Sequence, residues 1–151
     1  MSDFEIIKAK ISDSNKIALF LQKNFEIHNL RFNKEYIQDS FYDGSWFLSE
    51  INNKIGGVIL LKIIEQDKRG ELKHLIVNKN FRNQGIGKAL LNETIKYAKK
   101  KKLRKLTGMA SSNKITVLKK LAKNFEFKLE GILKNHYRKN ENIFIYSLFF
   151  Q

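Results

Sequence analysis

The sequence predicts an α+β fold, a mixed α/β sandwich built around one sheet. Three observations predict it. Apolar runs of strand length alternate with segments of helical period, and Asn- or Gly-containing turns separate the strand-like runs at hairpin spacing. No Pro/Ser-rich linker, internal repeat or low-complexity block divides the 151 residues, so a single domain over 1–151 is the simplest organisation. A hydrophobic content of 42% with 12% aromatics suits a chain long enough to bury a real core.

The chain opens with "FEIIKAKI" (4–11), an edge strand with Phe4, Ile6 and Ile11 at roughly strand spacing. Ser12 or Asp13 then caps a helix whose apolar face is Ile17, Leu21 and Phe25, with Phe20 beside it. Residues 33–43 form a second short helix that opens at Asn33 and ends before Asp43-Gly44. "SWFLSEINNKIGGVILLKII" reads as two strands around an Asn52-Asn53-Lys54 turn. A second hairpin follows, with Asp67-Lys68-Arg69-Gly70 as its turn and "ELKHLIV" returning. A long helix comes next, with Ile86, Leu90, Leu91, Thr94, Tyr97 and Ala98 on one stripe. "RKLTGMA" (104–110) is a further strand, and Asn113 opens a helix through Leu118, Leu121 and Ala122. Two strands around Lys139-Asn140-Glu141-Asn142 close the chain, giving the order β-α-α-β-β-β-α-β-α-β-β.

Composition excludes several classes. The longest uncharged apolar runs, Ile55–Leu61 and Ile143–Phe150, fall far short of the ~20 residues of a membrane span. Charges throughout the first thirty residues argue against a signal peptide, and cytoplasm is the default compartment. Zero cysteines remove disulfide and thiolate chemistry, and no metal-ligand pattern is present. Net charge is +14, which attracts polyanions, yet 24 of the 29 cations are Lys and there are 15 Asn and no Pro. That skew reads as a general residue bias, and Arg, the better reader of phosphates and base edges, is scarce.

The segment that carries chemistry is "HLIVNKNFRNQGIGKALLNETIKYAKKKK", an apolar strand, a polar turn with two glycines, then the long helix. A helix N-terminus presents unpaired N–H groups and a partial positive charge, and glycines let a phosphate come close to the backbone. The amides of 83 to 88 can therefore wrap a pyrophosphate; glycines that merely ease a tight turn are the plain alternative. A Walker A loop fails on spacing, because Arg82 and Ala89 stand where Gly and Ser/Thr are required. A dinucleotide fingerprint fails as well, because Leu90 occupies the place of its third glycine.

The surviving Arg82-x-x-Gly85-x-Gly87 after "HLIV" resembles the acetyl-CoA signature of the GNAT superfamily of N-acetyltransferases, Arg/Gln-x-x-Gly-x-Gly/Ala. The likeness extends over nearly the whole chain in the right order. It includes "WFLSEINNKIGGVILL" as the early hairpin, "MASSNKITVLKKL" as the later strand and Asn-led helix, and "FKLEGILKNHYRKNENIFIYSLFF" as the closing segment. That last stretch is similar to members acting on protein N-termini or polyamines. The resemblance implies a GNAT acyl-CoA acyltransferase-like fold with a mixed, mostly antiparallel sheet flanked by helices. It implies acetyl-CoA as co-substrate and no metal. The amides of Arg82, Asn83, Gln84, Gly85, Ile86, Gly87 and Lys88 would hold the pyrophosphate. Leu75, Ile76 and Val77, on a strand splayed from its neighbour, would pair with the pantetheine arm, and Asn113 would hydrogen-bond that arm.

Acetyl transfer needs a neutral amine, a polarised carbonyl and a proton for the leaving thiolate. Glu71, eleven residues before Arg82, matches the base glutamate of some members; its alternative is a solvated strand end beside Gly70. His74 has the right titration range, but three residues from Glu71 on a strand it points to the opposite face, so at most one of the two faces the acceptor. A lone His in an apolar run also reads as a half-buried packing residue. The resemblance fails where many members carry a tyrosine acid: Lys120 stands there, and no tyrosine lies in 113–127. The same region lacks the family's Gly-Phe pair, showing "NFEF", and is about two residues longer. Tyr137, in the polar part of the last hairpin, is the remaining candidate for the acceptor side, whereas Tyr146 reads as core. Glu26, Glu35, Asp39 and Asp43 lie in the 25–46 segment that shapes the acceptor site in this family, and each is also an ordinary solvated acid. Trp46 begins a strand and reads as core.

The expected acceptor is a primary amine of a protein or peptide, with a polyamine or other small amine as the alternative. Two other classes stay open: a nucleic-acid-binding module, on the charge and on "KYAKKKKLRK" (96–105), and a silent acetyl-CoA sensor, on the missing tyrosine. Nucleic acid is the disfavoured partner. Lysines at a helix end also complement its dipole, and no aromatic RNA-binding motif accompanies them. No membrane partner is expected, and a homodimer is left open.

Overall fold

The computed structural model describes residues 3–24, 32–112 and 115–151, the side chains of 115–118 excepted. Phe25, Glu26 and Asn113, with the side chain of Leu118, lie outside the described residues. In order, the elements are β1 (Glu5–Lys8), α1 (Ser14–Asn24), α2 (Lys34–Ser40), β2 (Gly44–Ile51), β3 (Lys54–Ile64), β4 (Arg69–Val77), α3 (Ile86–Lys100), β5 (Lys105–Ser111), α4 (Ile115–Asn124), β6 (Lys128–Arg138) and β7 (Glu141–Phe149). This is the predicted order, and the strands form a mixed sheet in the sequence β1-β2-β3-β4-β5-β7-β6, flanked by the four helices. β4 and β5 pair in parallel, while β1–β2, β2–β3, β5–β7 and β6–β7 are antiparallel.

Differences from the sequence reading are local. β1 is four residues rather than eight, and Ile11–Asp13 form a 3-10 turn in which the Asp13 carboxylate accepts the Lys10 N–H at 2.8 Å. Further 3-10 turns at Glu65–Asp67 and Lys79–Phe81 replace what reads as plain loop. The last turn is only Lys139-Asn140, because Glu141 and Asn142 already belong to β7.

The chain divides into two compact units, one of Met1–Lys62 and His74–Tyr97, the other of Ile63–Lys73 and Ala98–Gln151. In the first, β2 is buried along Ser45–Ser49 because both of its faces are covered. Trp46 and Leu48 join Ile17, Leu21, Phe32, Ile37, Val58 and Leu60 in one apolar cluster with α1 and α2. The intervening Phe47 turns the other way and meets Tyr97 of α3 edge-on, with ring centroids 5.5 Å apart. Each such fully buried aliphatic side chain contributes roughly 1.5–3 kcal/mol of transfer free energy. α2 starts where Asn33 predicts: its side chain accepts the Tyr36 N–H at 2.8 Å. Asn52 and Asn53 both have positive φ, 50° and 64°, as a two-residue type I′ hairpin demands.

A bulge in the β2–β3 pairing falls at Gly56, since Ser49 pairs with Gly57 but Glu50 with Ile55. The Gly56 carbonyl accepts the Asn78 N–H at 2.9 Å, which ties the exit of β4 to β3. Gly57 lets α3 come close: a Cβ there would stand 2.9 Å from Ile86 Cγ2 and 3.1 Å from Leu90 Cδ1.

In the second unit the β5–β7 register runs from Lys105↔Phe149 to Ser111↔Ile143, and Leu106, Ala110, Ile143 and Tyr146 are buried. Glu130 accepts hydrogen bonds from Lys105 (2.7 Å) and from the buried Ser147 hydroxyl, and both hold its carboxyl below the usual glutamate range. α4 ends in a Schellman motif, with Phe127 N–H bonding Ala122 O at 2.9 Å and Glu126 at φ 63°. A left-handed glutamate thus stands at a helix end where glycine is favoured.

Two stability measurements check these contacts. Gly57→Ala should destabilise the protein by about 1–3 kcal/mol in chemical denaturation. In a double-mutant cycle with Ile86→Ala, which removes the Cγ2 that the new Cβ would meet, the two losses should sum to less than additive, whereas strict additivity would show that the Ile86 contact is not its cause. Glu126→Gly should stabilise by about 1 kcal/mol by relieving the left-handed strain; a loss of stability would place the cost elsewhere.

Candidate functional site

The predicted phosphate turn lies in the first unit, between the exit of β4 and the first turn of α3. The Asn78 side chain caps the 3-10 turn by accepting the Asn80 N–H at 2.8 Å, and its amide donates to Asn24 Oδ1 at the end of α1 (2.9 Å). Arg82 folds back so that Nε donates to the Val77 carbonyl at 3.3 Å. Beyond it Asn83 turns left-handed (φ 64°) and Gly85 follows at φ 84°, a conformation that favours glycine.

Gly85 O accepts the first helical bond from Ala89 N–H at 2.9 Å, so Gly85 is the N-cap of α3 and has no side chain with which to occupy the helix's free donors. The first turn of α3 contains no acidic residue, although acids are favoured there. A Cβ built on Gly85 meets nothing within 4 Å. An exposed turn with free-standing amides, a positive dipole end and Arg82 and Lys88 beside it is built to take an anion.

The predicted residues divide by role. Arg82, Asn83, Gln84, Gly85 and Lys88 are exposed. The Ile86 side chain is buried and packs against β3, which leaves only its backbone for a ligand. Gly87 is half-buried, 3.8 Å from Val77 Cγ2 when given a Cβ. Leu75, Ile76 and Val77 are half-buried at the end of β4, with Ile76 also against the apolar cluster. The parallel register of β4 with β5 covers Arg69↔Lys105 to Leu72↔Gly108, ahead of those three residues.

His74 departs from the sequence argument. Its φ is 54° within a strand, so the regular pleat that would set it opposite Glu71 is interrupted at this residue. The imidazole stacks on Trp46 (centroids 5.9 Å apart, 11° between planes) and meets Phe32 edge-on at 5.0 Å. Its Nε2 lies 3.1 Å from the Tyr36 hydroxyl. Trp46 is core, as predicted, and its Nε1 donates to Ser40 Oγ at 2.7 Å, which fixes the ring to the end of α2. Tyr36 belongs to no motif in the sequence; only its place three residues after the helix-capping Asn33 marks it.

In the second unit Glu71 is engaged by two cations, Arg69 Nη1 at 2.9 Å and Lys73 Nζ at 3.9 Å. The bonds from Arg69 to Glu71 and then Asp67 raise the guanidinium above its ordinary value. Tyr137 is 68% exposed on β6, edge-on to His136 at 4.6 Å, and Lys120 is exposed on α4. Tyr146 is core, as predicted. Of the acceptor-side acids, Glu35, Asp39 and Asp43 are exposed, and Asp43 pairs with Lys62 at 3.8 Å. Among the described residues no helix is long and apolar enough to cross a membrane.

Known proteins match this arrangement. Residues 14–117 match the model of the Acetyltransferase (GNAT) family. An uncharacterised N-acetyltransferase of Methanocaldococcus jannaschii is 34% identical over 64 residues, which cover 39% of this chain and 28% of that protein. A ribosomal-protein-alanine N-acetyltransferase from Brucella melitensis superposes with a TM-score of 0.80 at 18% identity, over 97% of this chain and 99% of that one. A Bacillus anthracis acetyltransferase solved in complex with acetyl coenzyme A has a TM-score of 0.64 at 21% identity, over 72% and 64% of the two chains. The structural likenesses carry the fold, and the family model covers more than half of the sequence. The chain belongs to the acetyltransferase (GNAT) family, a family of acyltransferases.

Proposed function

We propose that this protein is a one-domain N-acetyltransferase that moves an acetyl group from acetyl-CoA to a primary amine of a protein or peptide. The observation that carries the reading is the turn at Gly85, a left-handed glycine N-cap open to solvent at an acid-free helix start. The amides of Asn83 to Lys88 would hold the pyrophosphate, with Arg82 and Lys88 adding charge. Leu75 to Val77 would accompany the pantetheine arm, and Asn113 is proposed as a further contact to it. When bound, acetyl-CoA supplies a thioester activated for attack by an amine.

The acceptor nitrogen sheds two protons between ammonium and amide. Glu71 is proposed to take one of them, and Tyr137 to line the acceptor side. A protein acceptor is supported by the kinship with a structure described as a ribosomal-protein-alanine N-acetyltransferase. The +14 charge disfavours free polyamines, although salt screens that repulsion beyond about 8–10 Å.

Two variants test the reading by calorimetry with acetyl-CoA and turnover of an amine panel (an alanine-terminated peptide, lysine, spermidine). Gly85→Asp tolerates positive φ but sets a carboxylate where the phosphate belongs, so acetyl-CoA affinity should fall about 100-fold, some 2.7 kcal/mol, with the fold intact. Unchanged affinity removes the donor site. Glu71→Gln should lower kcat by roughly 10²-fold and alter its pH profile, while full activity dismisses the glutamate as a base.

A further inference from the structure

We propose that Tyr36 and His74 form a proton relay that takes the first proton from the acceptor ammonium, an inference that rests on the acetyl-transfer reading above. The side chain of His74 is placed at a cost. A non-glycine residue at φ 54° inside a strand is strained, and such strain persists where the surroundings over-determine it. Here Trp46 stacks on one side, Phe32 packs edge-on, and the Tyr36 hydroxyl sits 3.1 Å from Nε2. Trp46 is itself pinned through Ser40, whose hydroxyl bonds the Ile37 carbonyl, so α2 and β2 together fix the imidazole.

Packing alone would be served by an apolar residue at 74, without a polar pair at the surface. Tyr36 is 37% exposed and His74 half-buried, so the phenol is the outer member and the imidazole the inner one. His74 directly precedes Leu75, the first residue proposed to accompany the pantetheine arm. Tyr36 from α2 is a titratable group against the imidazole, Phe32 and Trp46 are uncharged rings against it, and Lys73 precedes it on β4.

The proton inventory closes. The ammonium gives a proton to the Tyr36 oxygen as the Tyr36 O–H passes its own to His74 Nε2, leaving a neutral amine and an imidazolium. The amine lone pair forms the C–N bond to the thioester carbonyl, and the C–S bond breaks with its electron pair going to the thiolate. The nitrogen's second proton leaves to a base or to water, the thiolate is protonated from solvent, and His74 returns its proton to solvent. One proton is released per turnover.

CoA release with the best amine of the panel, measured from about pH 5.5 to 9, tests the relay. In the wild-type protein kcat/KM should rise with pH through an inflection that depends on His74. His74→Asn keeps a side chain that tolerates left-handed φ, and it should cut kcat about 100-fold and abolish that inflection. Tyr36→Phe should cut kcat comparably. In His74→Gly, which relieves the strain, added imidazole should restore at least tenfold of the lost rate. Wild-type kcat and inflection in either His74→Asn or Tyr36→Phe overturns the relay. Acetyl-CoA affinity, read by calorimetry on the same samples, should be unchanged in both, and its absence from the wild-type protein marks failure of the donor reading instead.

Discussion

The proposed donor end depends on how closely α3 approaches β3. Gly57 leaves room for Ile86 and Leu90 to press onto the strand, and those two are the first large apolar side chains of the helix. Pulling them in fixes the direction from which α3 emerges, and so the place where its unpaired amides point. The bulge one residue earlier is part of the same device, because it frees the Gly56 carbonyl to hold the chain as it leaves β4. A larger residue at either position would move the helix mouth as a whole, whereas a change within the turn would alter only its lining.

The legible parts of the fold were those that local chemistry dictates. Asn52-Asn53 specify a hairpin because both residues accept positive φ, Asn33 specifies a helix start because its side chain replaces a missing backbone acceptor, and the α3 stripe follows from its period. The 3-10 turns were not legible, since three residues of tightened helix leave no periodic trace. The Gly-Gly pair in β3 did carry a signal, as glycine inside a strand often marks a bulge or a close backbone approach.

The site was legible unevenly for a related reason. A phosphate turn is made of backbone, so its requirement for glycine is written in a contiguous stretch. Proton-handling groups come together only through tertiary packing. Tyr36 on α2 and His74 on β4 are 38 residues apart, with the whole of β2 and β3 between them in the chain. Alternation puts Glu71 and His74 on opposite faces of a regular strand, and one left-handed residue is enough to defeat it. Glu71 shows the converse: its position could be matched by spacing, but its pairing with Arg69 and Lys73 is fixed by the strand's own alternation on one face.

Asn78 gathers three connections into one residue: its N–H goes to the β3 bulge, its side-chain oxygen to Asn80, and its side-chain amide to Asn24 at the end of α1. A segment tied at three points has few conformations left to lose. The entropy of ordering the chain that leads into the glycine turn is therefore spent during folding, before any ligand arrives. A phosphate meeting those amides does not have to organise them, and more of the interaction free energy is left to appear as affinity.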